Sequence, residues 1–261
     1  MSSVVATGGF DNIRYLDTRF LQEAARFGDL SVHLLTDFAL TQITGRSPNF
    51  PQQERLYFLE AVRYVDKVCL VDSVDNLDVI PVLGDMLPDI WVVSESDDTH
   101  QKRTFADGKG IEYKVIRTTD LTGYPDSHNN HTRTGNKKVV VTGCFDWFHS
   151  GHVRFFEETS QLGDLYVIVG HDENIRLLKG EGHPMHSQEE RRYMAGSIRY
   201  VKQAIISSGS GWMDAEPEIG LIKPDIYVVN EDGDKPEKLA FCQRHGLEYV
   251  VLKRNPAAGL P

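Results

Sequence analysis

Two histidines three residues apart, His149 and His152, close the segment Thr142-Gly143-Cys144-Phe145-Asp146-Trp147-Phe148-His149-Ser150-Gly151-His152. Imidazole changes charge near neutral pH and can donate a hydrogen bond to developing negative charge. A β-branched run at 138–141 precedes the segment, and helical spacing follows it over 154–162. A strand, a turn and a helix start aim backbone N–H groups at one spot, which suits a phosphate. Gly143 and Gly151 carry no side chain and let backbone approach a ligand closely. Paired histidines can also hold a metal, but that needs a third ligand and none is evident nearby, so no protein-held metal is expected. A dinucleotide-binding fingerprint would need Gly-x-Gly-x-x-Gly after the strand, and the segment lacks it.

The elements that position these residues occur twice. Thr7-Gly8-Gly9-Phe10-Asp11 matches Thr142-Gly143-Cys144-Phe145-Asp146, and Pro88-Asp89-Ile90-Trp91 matches Pro224-Asp225-Ile226-Tyr227. Over 7–37 against 142–172, about 12 of 31 positions are identical, and the offset grows from 135 to 136 near Gly182. A period that long makes each copy a domain, at 1–124 and 137–261, joined by a polar linker at 125–136. In the second copy, strand runs at 138–141, 165–169, 200–206, 226–229 and 249–252 alternate with helix-length segments. Ser187 and Glu190 have capping-box spacing for a helix over 187–198. This pattern predicts an α/β fold, each copy a parallel sheet with helices on both faces, with ligands beyond the C-terminal strand ends.

The His149–His152 segment resembles the cytidylyltransferase-like nucleotidyltransferases, whose signature is Gly-x-Phe-Asp-x-x-His-x-Gly-His. Gly143, Phe145, Asp146, His149, Gly151 and His152 fill every fixed position, and Cys144 fills the first variable one. The resemblance implies two tandem Rossmann-like nucleotidyltransferase domains. It also implies that His149 and His152 contact phosphates and that Lys179, after His171-Asp172-Glu173-Asn174, neutralises their charge. Gln188-Glu189-Glu190-Arg191 and Ile198-Arg199-Tyr200-Val201 look like the CTP-using branch, in which Arg199 would lie near the base. Asn230-Glu231-Asp232 stands where the family has a nucleotide loop. Arg254 matches the start of a phosphate-gripping motif, and no Ser/Thr cluster follows it.

By this resemblance the expected reaction is transfer of CMP from CTP to a small phosphorylated alcohol, with Mg²⁺ carried on the nucleotide and pyrophosphate released. The alternatives are an adenylyltransferase, because Lys179-Gly180-Glu181 also looks like the ADP-heptose type, and a nucleotide-binding protein without turnover. The first copy has Arg14-Tyr15-Leu16-Asp17 in place of His149-Ser150-Gly151-His152, and so reads as a pseudo-catalytic partner. Its Arg117-Thr118-Thr119-Asp120-Leu121 resembles the end of the family's Ser/Thr motif. It is expected to form an internal pseudo-dimer with the second copy, with further homo-oligomerisation left open.

Composition narrows the partners. A net charge of −10 disfavours nucleic acid and anionic membrane surfaces. Cys69, Cys144 and Cys242 are scattered and form no Cys-x-x-Cys pair. The start of the chain lacks a basic, then apolar leader, and no stretch approaches the roughly 20 apolar residues of a membrane span. A cytoplasmic protein is expected.

Overall fold

The apolar runs become central strands because a parallel sheet covered on both faces has no solvent side. In the strand Lys138–Gly143 (β6), Val139, Val140 and Val141 are all fully buried although successive side chains point to opposite faces. The computed structural model describes residues 1–72, 76–81, 87–126 and 134–253. The chain divides into two compact units, Met1–Gly123 and Tyr124–Pro261. Positions 127–133 of the expected linker lie outside the described residues. No helix among the described residues is long and apolar enough to cross a membrane.

The first unit runs β1 (Ser3–Gly8), α1 (Tyr15–Ala24), β2 (Asp29–Leu35), α2 (Asp37–Thr44), α3 (Gln52–Ala61), β3 (Lys67–Val71), β4 (Ile90–Ser94), α4 (His100–Lys109) and β5 (Glu112–Ile116). Its parallel sheet has the order β3-β2-β1-β4-β5. After β6, the second unit continues α5 (Ser150–Ser160), β7 (Asp164–Val169), α6 (Asp172–Lys179), α7 (Gln188–Gly196), β8 (Val201–Ile206), α8 (Glu216–Ile222), β9 (Ile226–Asn230), α9 (Pro236–His245) and β10 (Glu248–Leu252). Its sheet order is β10-β9-β6-β7-β8. This is the same Rossmann-like topology in both units. The residue register repeats too: Gly8 pairs with Leu34 as Gly143 pairs with Val169.

In the second unit α8 and α9 pack on the face carrying Val140, Ile168 and Tyr227. Helices α5 and α7 lie against β7. The chain winds from β6 to β8 in one direction and returns to β9 on the other side of β6. That reversal leaves a crevice beyond the C-terminal ends of β6 and β9. Gly163 lets the α5–β7 turn pass under the sheet: its φ is 154°, and a Cβ there would lie 2.2 Å from the Lys137 carbonyl oxygen. Gly28 does the same in the first unit.

Helix α5 begins at Ser150, four residues before the expected 154, because His149 caps it. Ser187 caps α7 as its spacing foretold, accepting a hydrogen bond from Glu190 N at 3.3 Å. The Glu190 carboxylate goes elsewhere, to His186 Nδ1 at 2.9 Å and to Tyr124 OH at 3.3 Å.

Candidate active site

The site is assembled from the turn between β6 and α5. Phe145 adopts φ 53°, a left-handed conformation that is costly for a residue with a bulky side chain. The turn tucks the Phe145 ring inward, where it packs edge-on against His152 and Phe156 with centroids 5.3 and 5.2 Å apart. Gly143 makes room for it, since a Cβ there would lie 2.8 Å from the ring. His152 is stacked on Phe148 on another side, at 5.4 Å and 20°. Aromatic packing thus fixes the second histidine.

The first histidine is fixed by the backbone. His149 is the N-cap of α5, and its Nδ1 accepts a hydrogen bond from Gly151 N at 3.0 Å. An accepting Nδ1 leaves the proton of the neutral ring on Nε2, as a donor. Gly151 permits this fold-back, because a Cβ would meet His149 Cε1 at 2.8 Å and Nδ1 at 2.9 Å. The sequence suggested that this glycine serves close approach of a ligand; the geometry adds that it seats an imidazole. The two rings end with centroids 4.1 Å apart at the positive end of a helix.

Asp146 does not point at an open site. Its carboxylate, 8% exposed, accepts hydrogen bonds from Met185 N at 2.9 Å and His186 N at 3.0 Å. Burial alone would raise its pKa, but these backbone donors and His183 outweigh burial and hold the group below the usual carboxylate range. It tethers the segment between α6 and α7 to the β6–α5 turn.

Arg191 organises what surrounds the turn, and no separate role for it was legible from motif spacing. It is 1% exposed and lies on α7. Its guanidinium donates to the carbonyls of Cys144 at 2.6 Å, Gly170 at 2.8 Å and His186 at 3.0 Å, and to Asp172 Oδ1 at 2.7 Å. One cation therefore joins three loops at the C-terminal end of the sheet. The repeat carried the signal for it. Arg55, 136 residues earlier, donates to the carbonyls of Gly9, Leu35 and Phe50 and to Asp37 Oδ1.

The loop after β8 is tied in by a second network. His171 caps α6, and its Nε2 donates to Gly209 O at 2.7 Å. Asn174 bonds both ways with Gly211, at 2.7 and 3.1 Å. Ser207 receives His171 N and donates to Asp214 Oδ2 at 2.6 Å.

The remaining sequence candidates divide. Lys179, exposed at the last position of α6, is near enough to act electrostatically on Cys144, whose thiol pKa is raised chiefly by burial. Asn230 ends β9 and opens a one-turn helix, Glu231–Gly233, on the crevice side. Arg199 is not brought to the histidines. It is exposed in the turn before β8, at the N-terminal end of that strand, whereas α5 starts at the C-terminal end of β6. Six strand residues, about 20 Å, separate the two levels. Arg254 lies outside the described residues. No group of three or more His, Cys, Asp or Glu that could hold a metal occurs among the described residues.

Comparisons with known proteins agree with this geometry. Residues 140–254, from β6 through β10, match the model of the cytidylyltransferase-like family. The chain is 38% identical over 119 residues to FAD synthase of Thermococcus kodakarensis, covering 44% of this chain and 78% of that protein. It is 40% identical over 97 residues to FAD synthase of Ferroglobus placidus, covering 37% of this chain and 60% of that one. It is 36% identical over 106 residues to the bifunctional protein HldE of Campylobacter concisus, covering 39% of this chain but only 21% of that relative's length.

Proposed function

The chain belongs to the cytidylyltransferase-like family of nucleotidyltransferases, and from that premise we propose that its second unit transfers AMP from ATP to the phosphate of a small acceptor. An acceptor phosphate oxygen attacks the α-phosphorus. A new P–O bond forms, the bond from the α-phosphorus to the bridging oxygen breaks, and its electron pair leaves with pyrophosphate. No protein nucleophile is needed, so catalysis rests on positioning and on stabilising charge.

The His149–His152 pair at the start of α5 carries this reading. Its Nε2–H donor and the helix N-terminus offer positive potential where the phosphates would lie. His149 and His152 contact the phosphates, and Lys179 adds a mobile cation at the rim. Gly143, Cys144 and Phe145 form the floor of the turn, and Asn230 borders the nucleoside side. Mg²⁺ would be held by the nucleotide phosphates, since this cation usually binds through substrate phosphates rather than in an all-protein cage. When bound it neutralises phosphate charge.

The CTP-like pattern of the sequence put cytidylyl transfer first, and the relatives favour adenylyl transfer. FAD is an adenylate joined to a flavin phosphate, and two relatives bear the name of its synthase. The Lys179-Gly180-Glu181 loop, which looks like the ADP-heptose type, supports the same choice. The first unit has Arg14 and Asp17 at the positions of the two histidines, and we assign it no turnover.

Thermal unfolding with Mg²⁺ and either ATP or CTP tests the nucleotide. A ligand at 100 times its dissociation constant adds about 2.7 kcal/mol. A shift with ATP, followed by ATP-dependent pyrophosphate release on adding phosphorylated acceptors, supports adenylyl transfer. A shift with CTP alone returns the assignment to cytidylyl transfer.

A further inference from the structure

The first unit keeps the turn and loses the histidines. Phe10 adopts φ 47° where Phe145 adopts 53°, and Asp11 receives Asn49 N and Phe50 N as Asp146 receives Met185 N and His186 N. Beyond the C-terminal ends of β1 and β4 this turn borders a cavity of about 370 Å³. That is within the size range of small-molecule sites. Phe10, Phe20 and Ile116 supply apolar wall.

The charge in this cavity is inverted relative to a phosphate site. Asp17, Glu95 and Asp97 line it against one lysine, Lys102. The Lys102 ammonium is committed to the Asp97 carbonyl at 2.6 Å. None of the three carboxylates is in an ion pair with Lys or Arg among the described residues. Asp17 occupies the helix position of His152, and one of its oxygens accepts Arg14 N at 2.8 Å. Burial raises the Asp17 pKa and Asp97 adds slightly to this, outweighing the backbone donors of the turn and the Arg14 charge, which act the other way. A triphosphate would meet like charge here, whereas a cation would offset both the burial and the Asp97 charge.

We propose that the first unit binds a small organic cation in this cavity, an ammonium group on an apolar body, with Asp17 and Asp97 receiving the ammonium and Phe10, Phe20 and Ile116 the body. Loss of the two histidines would then have changed the ligand of this fold rather than emptied it. The inference is independent of turnover in the second unit.

Calorimetric titration of the full chain with 2-phenylethylamine, and with its uncharged counterpart 2-phenylethanol, tests this. The amine should bind at least tenfold more tightly than the alcohol. Asp17→Asn and Asp97→Asn should each weaken the amine at least tenfold. Asparagine at 17 can still accept Arg14 N, and Asp97 is exposed, so both variants should fold, with circular dichroism as the control. No binding of the amine, equal binding of amine and alcohol, or unchanged amine affinity in both folded variants would overturn the proposal.

Discussion

At Gly151 a single hydrogen leaves the space that the His149 imidazole fills, so Gly151→Ala should act on the histidine rather than on the fold. The new Cβ would lie 2.8 Å from the ring and push it off the Gly151 N–H. Losing one preorganised donor typically costs about 10²–10³ in rate. We expect pyrophosphate release by Gly151→Ala and by His152→Ala to fall by about that factor, with far-ultraviolet circular dichroism unchanged. A loss under threefold in His152→Ala would remove His152 from the phosphate site. The acids of the two turns make opposite predictions with pH. Asp146 has a folded pKa below its unfolded value of about 3.9, so its stabilisation is present above that value and lost as pH falls through the folded pKa. Asp17 has a raised folded pKa, so its contribution is full below about 3.9 and lost as pH rises through the folded value. Peptide-resolved hydrogen exchange against pH should therefore show a flatter acid limb in the second unit of Asp146→Asn. In Asp17→Asn it should show that a loss of stability with rising pH has vanished from the first unit.

Between elements, the decisive groups are the arginines that gather loop carbonyls. Replacing Arg191 by Leu would strip hydrogen bonds from the carbonyls of Cys144, Gly170 and His186 and leave Asp172 without its cation. Asp172 and Asp37 are 32% and 41% exposed and regain water, so the cost is that of the stranded buried carbonyls, about 1–3 kcal/mol. Arg191→Leu should lower the stability of the second unit by about that much, and Arg55→Leu that of the first, each read by hydrogen exchange of its own unit. A cost near zero for both would mean that water replaces the guanidinium without penalty. The strands were legible in the sequence because a doubly covered sheet demands unbroken apolar runs such as Val139-Val140-Val141. The histidine turn was legible because its spacing is rigid. Arg191 was legible only through its counterpart Arg55 in the repeat, because bonds to backbone carbonyls leave no mark in motif spacing. Arg199 misled for a related reason. A motif beside a strand does not say which end of the strand it occupies, and the turn from α7 into β8 sets it at the end away from the histidines.

At the scale of the whole chain, one topology is used twice with the same register, the same arginine clamp and the same strained phenylalanine. What differs is the chemistry offered at the start of one helix, two imidazoles at α5 against an arginine and a carboxylate at α1. Scaffold and site chemistry are therefore separable here, and ligand response should separate along the chain. Mg²⁺–ATP should slow hydrogen exchange in peptides of the second unit around the β6–α5 turn and the start of α7, and leave those around the β1–α1 turn unchanged. A coupling free energy between the units would appear as protection in the first unit as well, since binding at one site changes another only through a difference in affinity between states. Protection in the first unit that persists in His149→Ala/His152→Ala would mean that the carboxylate at Asp17 does not exclude the nucleotide. The assignment of different ligands to the two copies would then be wrong.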